Sequence, residues 1–169
     1  GKVPTLKDGD FILYESLAIM SYLDCKYPDP PLFGKTPEET GLIWRALAEC
    51  ESYIVSAGDK VVRPIFFGKG LDKVEEIQQA AQALRHELKR IDERLAASHW
   101  LVGDKISAAD IGVFPLGQLL LRAASKEAAQ PFSLGWFPLA QTFPNVARWV
   151  QRIEALPNYQ RTYPPHWKQ

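Results

Sequence analysis

The spacing of apolar positions changes early in the chain. Two short apolar runs, V-P-T-L at positions 3–6 and F-I-L at 11–13, flank K-D-G-D. Paired apolar runs around such a turn signal predict a β-hairpin. E-S at 15–16 then opens L-A-I-M-S-Y-L, an amphipathic stretch that reads as a helix. The next segment, "YPDPPLFGKTPEE", holds Pro28, Pro30, Pro31 and Pro37 and can continue neither a helix nor a central strand. It is expected to be a linker over 28–36. It ends on a helix start, with Thr36 as N-cap, Pro37 in the first turn, and Glu38 and Glu39 at the positive end of the dipole.

Beyond the linker the period is helical throughout. Leu42, Ala46, Leu47, Cys50, Tyr53, Ile54 and Ala57 form one stripe, interrupted by "RPIFFGKGLD". A second stripe runs through Leu71, Val74, Ile77, Ala81, Leu84, Leu88, Ile91 and Leu95. From Ile111 to Leu121 the next helix is apolar almost all round, which predicts a central position, with a bend at Pro115. The segment 125–144 mixes aromatics with Gly and Pro and is expected to be a long loop. Val146, Trp149, Val150, Ile153 and Leu156 mark a last helix. The tail "YQRTYPPHWKQ" is expected to run extended over the surface. The fold class is therefore α+β: a β-β-α unit at 1–27, a proline linker, and an all-α bundle of about five helices at 37–169.

Composition narrows the function classes. With 20 Lys plus Arg against 20 Asp plus Glu, the net charge is zero. No basic excess points to nucleic acid or an anionic membrane, and no apolar run has the length of a membrane span. Two cysteines, Cys25 and Cys50, are too few for a disulfide framework and suit a reducing cytosol. His86, His99 and His166 have no partners at ligand spacing, so no metal site is expected. The chain begins on glycine, so the start of the gene product is expected to lie before it.

Three short stretches carry candidate chemistry. In "KISAADI", Ser107 and Asp110 have the spacing of a capping box, with Ile106 and Ile111 at the staple positions. In "GKVPTL", Pro4 offers no ladder donor. A Val3–Pro4 bond costs only about 0.5–1 kcal/mol to make cis, which would turn the Val3 backbone toward an extended ligand. An ordinary trans proline at a sheet edge is the other reading. In "YESLAI", Ser16 stands where an N-cap belongs, at an anion-attracting helix end. Glu15 beside it could hold a cation. Together they could receive the carboxylate and ammonium of an α-amino acid; a simple cap and a solvated glutamate explain them as well.

"GKVPTL", then "DGDFILYESLAIMSYL", the proline linker and "GDKISAADIGVFP" occur in an order and spacing that resembles the glutathione transferase superfamily. The resemblance covers nearly the whole chain. It implies a chain made of the last β-β-α of a thioredoxin-like domain joined to a complete helical domain. It implies that Val3 and Pro4 pair with the cysteinyl part of glutathione, and that Glu15 and Ser16 hold the γ-glutamyl group. Ser107 and Asp110 match the family's capping box. The family's thiolate-activating Ser, Tyr or Cys would fall before Gly1, so the chain by itself is expected to be inactive. Further implied are a hydrophobic electrophile as second substrate, a cytoplasmic detoxifying homodimer, and no nucleic acid, membrane or metal partner. Tyr53 and Phe66 could line the electrophile pocket or equally be core aromatics. Glu49 and Glu51 are candidates to reach a neighbouring subunit's glutathione. The alternative is a transferase-like binding or assembly module without catalysis.

Overall fold

The computed structural model describes residues 1–167, apart from the side chain of His166, so that part of the histidine reading lies outside the described residues. The chain opens on a two-stranded antiparallel sheet, β1 (Thr5–Asp8) and β2 (Phe11–Tyr14). β1 starts at Thr5, not at Val3, because Pro4 has no N–H to give to a ladder. Gly9 opens the two-residue connection with φ 61°, the left-handed conformation that tight hairpins ask of their first loop residue. Helix α1 (Ser16–Lys26) follows directly. The Asp8 carboxylate ties the hairpin to it, accepting from Lys26 and from the Tyr22 hydroxyl. The Lys26 ammonium first, and then Tyr22, hold that carboxyl below its usual range.

The linker is pinned at both ends. Asp24 accepts from the Leu32 N–H at 2.5 Å, and the Leu32 carbonyl accepts from the Ala108 N–H at 2.8 Å. Phe33 is buried, and the Thr40 hydroxyl donates to its carbonyl.

Helix α2 (Pro37–Glu49) starts as the sequence predicts, with the Thr36 hydroxyl accepting from the Glu39 N–H at 3.2 Å. It does not stop at the predicted place. A π-helical turn over Cys50–Val55 leads into α3 (Ser56–Phe66), so one rod runs through Pro64 to Phe66. The extra residue of a π-turn slips the register of the stripe. Ile54 and Gly58 consequently face the core, while Tyr53 is 52% exposed. Leu42 also points largely to solvent, and Ile43 takes its place inside.

Helix α4 (Val74–Ala97) buries Ile77, Ala80, Ala81, Leu84, Leu88 and Leu95 as its period requires. Leu71 lies in the turn ahead of it and is exposed. Helix α5 (Ala108–Ala124) lies against α2 and α3, and α4 lies against α3 and α7 (Pro144–Glu154). α5 is less completely wrapped than its composition suggests, for Ile111 is 40% exposed.

Residues 125–144 are more ordered than a loop. They hold a 3-10 helix (Glu127–Phe132) and the short α6 (Leu139–Thr142), and they bury Ala129, Phe132, Leu134 and Trp136. Arg85 of α4 fastens this wrap by donating to the Leu134 carbonyl at 2.8 Å. The α7 N-terminus has no side-chain cap of its own. Asp92 of α4 supplies one across the bundle, accepting from the Asn145 and Val146 N–H groups at 2.7 and 3.0 Å. The tail is also partly helical, with α8 (Tyr159–Thr162) and a 3-10 turn (Pro165–Trp167). Its rings continue a ladder of edge contacts from Phe114 to Tyr159, Tyr163 and Trp167. Among the described residues no helix is long and apolar enough to cross a membrane.

Candidate functional site

The four residues expected to hold glutathione flank the paired strands of the hairpin. Thr5 pairs with Tyr14. Pro4 and Glu15 are the next residues along the two arms, outside the ladder, followed by Val3 and Ser16. All four are exposed at the open end of the hairpin, where α1 begins. The Val3–Pro4 bond is cis.

The junction itself departs from expectation. Glu15, not Ser16, is the N-cap residue, and no side chain caps the helix. The Glu15 carbonyl accepts the first helical bond, from the Ile19 N–H at 3.0 Å. Ser16 is the first helical residue, so the N–H groups of Ser16, Leu17 and Ala18 precede that bond and have no partner within the helix. Glu15 has φ 74° and ψ 120°, a region that side-chain-bearing residues rarely enter. Such a conformation costs on the order of 1–3 kcal/mol and tends to be kept where it has a use. Here it turns the chain from β2 into α1 within one residue and leaves Glu15 and Ser16 exposed at an uncapped helix start. Sequence spacing suggests Glu15 and Ser16 as candidates; the backbone twist at Glu15 carries no signal in the letters, since glycine would be the easier residue.

Residues 56–157 match the family model of the glutathione S-transferase C-terminal domain, and residues 1–31 match that of its N-terminal domain. The chain belongs to the glutathione transferase superfamily. Human glutathione S-transferase theta-2 is 31% identical over 162 residues, covering 92% of this chain and 61% of that protein. Poplar glutathione transferase F1 superposes with TM-score 0.75 at 23% identity, over 95% of this chain and 72% of that one. A glutathione S-transferase-I bound with lactoylglutathione gives TM-score 0.75 at 22% identity, over 95% and 73%. The chain spans about three-fifths of the length of its human relative.

The remaining candidate residues of this transferase chain fall in separate places. Tyr53 opens onto a broad cleft between the π-turn and α4, with Ser56, Lys60, Gln79, His86 and Glu87. Phe66 is not in that cleft; it is half-buried against the core beneath Arg122 and Lys126. Glu49 is tied within its own chain, accepting from Arg94 at 2.9 Å, with Arg90 at 3.5 Å and Arg45 at 3.6 Å. Glu51 is exposed.

Asp110 is where the expectation falls short. The Ser107–Asp110 capping box is present. Asp110 Oδ2 accepts from the Ser107 N–H and hydroxyl, both at 3.0 Å. Its Oδ1 accepts from the Leu101 N–H at 2.9 Å and from Trp149 Nε1 at 2.8 Å. One fully buried carboxylate therefore joins the loop before α5, α5 itself and α7.

Neither cysteine is placed to activate a thiol at the hairpin. Cys50 is buried, and burial first, with Glu51 adding to it, pushes its thiol up to about 12. Cys25 is exposed. Because the thiolate is the reactive form, a thiol reagent at neutral pH is expected to label one site per folded chain, at Cys25. The second should appear only on unfolding, as read by intact mass. Fast labelling of Cys50 in the native protein would contradict its burial.

Proposed function

We propose that residues 1–27 are the γ-glutamyl-binding part of a glutathione site, joined by the linker 28–36 to the helical domain 37–169 of a transferase. The protein containing this chain would join the glutathione thiolate to an electrophilic small molecule. The observation that carries the reading is the Glu15–Ser16 junction. A strained, uncapped helix start with free amides, next to an exposed serine and an exposed glutamate, supports the reading, because an α-amino acid carries the two complementary charges. The lactoylglutathione held by one structural relative supports the same ligand class. A pure assembly module would have no use for an amino-acid receptor, which favours the enzyme over the scaffold.

Binding by this chain alone is expected to be weak. Two charge-assisted contacts contribute roughly 3–6 kcal/mol gross, against an estimated cost of about 4–15 kcal/mol in lost translation and rotation. The test is a titration followed by amide NMR shifts. Glutathione should move the signals of Glu15, Ser16, Leu17 and Val3 with millimolar affinity, whereas Cys-Gly, which lacks the γ-glutamyl group, should not. Ser16→Ala should weaken the response. Equal shifts with Cys-Gly, or shifts scattered over the helical domain, would remove the proposal.

A further inference from the structure

The linker 28–36 has the composition of a tether, yet its middle is built into the helical domain. The Leu32 carbonyl accepts from the N–H of Ala108, the first residue of α5, at 2.8 Å. The Phe33 carbonyl accepts from the Thr40 hydroxyl of α2, also at 2.8 Å. The Phe33 ring is buried, its centre 5.1 Å from that of Trp44. Leu32 packs against the core as well. A backbone held from α2 and α5 in this way moves with them.

Asp24, in the last turn of α1, reaches this fixed segment. Its Oδ1 accepts from the Leu32 N–H at 2.5 Å. Local preference does not explain an aspartate there. Asp is a weak helix former, and a carboxylate in the last turn meets the negative end of the helix dipole. The basic residue of that turn, Lys26, donates to Asp8 of the hairpin. Asp24 thus weakens its own helix slightly and bonds to a different part of the fold.

The apolar contact between the two parts cannot set an angle. Leu17 and Met20 of α1 pack against the core beside Gly112 of α5. Apolar attraction has no direction. A hydrogen bond weakens steeply as it bends, and one to a carboxylate is roughly twice as strong as a neutral one. Asp24 lies four residues beyond Met20, about 6 Å along α1. The apolar seat and the bond therefore hold α1 at two points, which fixes its direction. The seat alone leaves it free to tilt.

We propose that Asp24 is a positioning residue: its bond to Leu32 sets the angle at which the hairpin and α1 stand on the helical domain. The use of that angle rests on the transferase reading above, in which it decides where the sulfur of a glutathione held at Glu15 and Ser16 meets the electrophile. Misplacing reacting groups by about 1 Å can cost on the order of 100-fold in rate. Asp24 acts from the opposite end of α1 to Ser16.

The test compares Asp24→Ala and Asp24→Asn with the unsubstituted chain by residual dipolar couplings and amide exchange, without glutathione. In the unsubstituted chain and in Asp24→Asn, whose side-chain carbonyl can still accept from Leu32, the couplings of α1 should fit the alignment frame of α4, α5 and α7. In Asp24→Ala they should not, and the Leu32 amide should exchange at least about tenfold faster. The couplings and exchange of α4, α5 and α7 should be unchanged in both variants. An α1 that keeps its angle in Asp24→Ala, or loses it equally in Asp24→Asn, overturns the proposal. So does a general loss of protection or of folding in the helical domain, which would make Asp24 a structural residue and not a positioning one. Failure of the γ-glutamyl titration is distinguishable from these results: it would leave the angle fixed and remove the ligand it serves.

Discussion

Asp110→Ala is expected to destabilise the protein by about 3–5 kcal/mol, several times the roughly 1 kcal/mol of an ordinary N-cap. The substitution strands four donors at once: the Ser107 N–H and hydroxyl, the Leu101 N–H and the Trp149 indole N–H. A buried donor left without an acceptor costs on the order of 1–3 kcal/mol. Water entering the vacated space would recover part of that, which keeps the total below the simple sum. For a chain of this length each kcal/mol is worth about 2–4 °C in Tm, so the melting point should fall by about 6–20 °C. Asp110→Asn, which keeps the shape and one acceptor, should fall between the two. A loss near 1 kcal/mol in urea unfolding would show that only the cap matters and that the bonds to Leu101 and Trp149 contribute little.

Trp136→Ala should cost a comparable amount, about 3–5 kcal/mol, for a different reason. Trp136 is fully buried and meets Leu84, Leu88, Leu120 and Trp149 around a residual void of about 30 Å³. Its indole N–H reaches the Leu120 carbonyl at 3.5 Å. Truncation would leave an apolar hole in the centre of the bundle, and such holes accept small aromatics. Added indole should therefore restore part of the lost melting temperature. A cost below about 1.5 kcal/mol, within the ordinary range for a single substitution, would mean that 125–144 is a loose cover and that Trp136 is not a core element.

Both residues mark the limit of what a linear pattern reveals. Ser107 and Asp110 announce a cap because a cap is local, three residues wide. The partners that raise its worth, Leu101 and Trp149, lie nine and thirty-nine residues from Asp110. Trp136 sits among Gly and Pro, with no period to mark it as buried. Periodicity reports burial only where the backbone is regular.

The sequence by itself determined the hairpin, the long α4, the helix at 144–154, the Thr36 start and the residues of the candidate receptor. Each follows from neighbours within a turn or two, through turn chemistry, capping or a stripe of period 3.6. Tertiary structure alone decided three things. A π-turn put Gly58 inside and Tyr53 outside, because one rod had to face two neighbours in succession. Three arginines from α2 and α4 enclosed Glu49, since ion pairs form wherever packing brings charges together. Glu15 was held at φ 74°, a conformation that no residue but glycine would choose locally. It is kept there by the hairpin on one side and by α1, whose Leu17 and Met20 pack against the core beside Gly112 of α5, on the other.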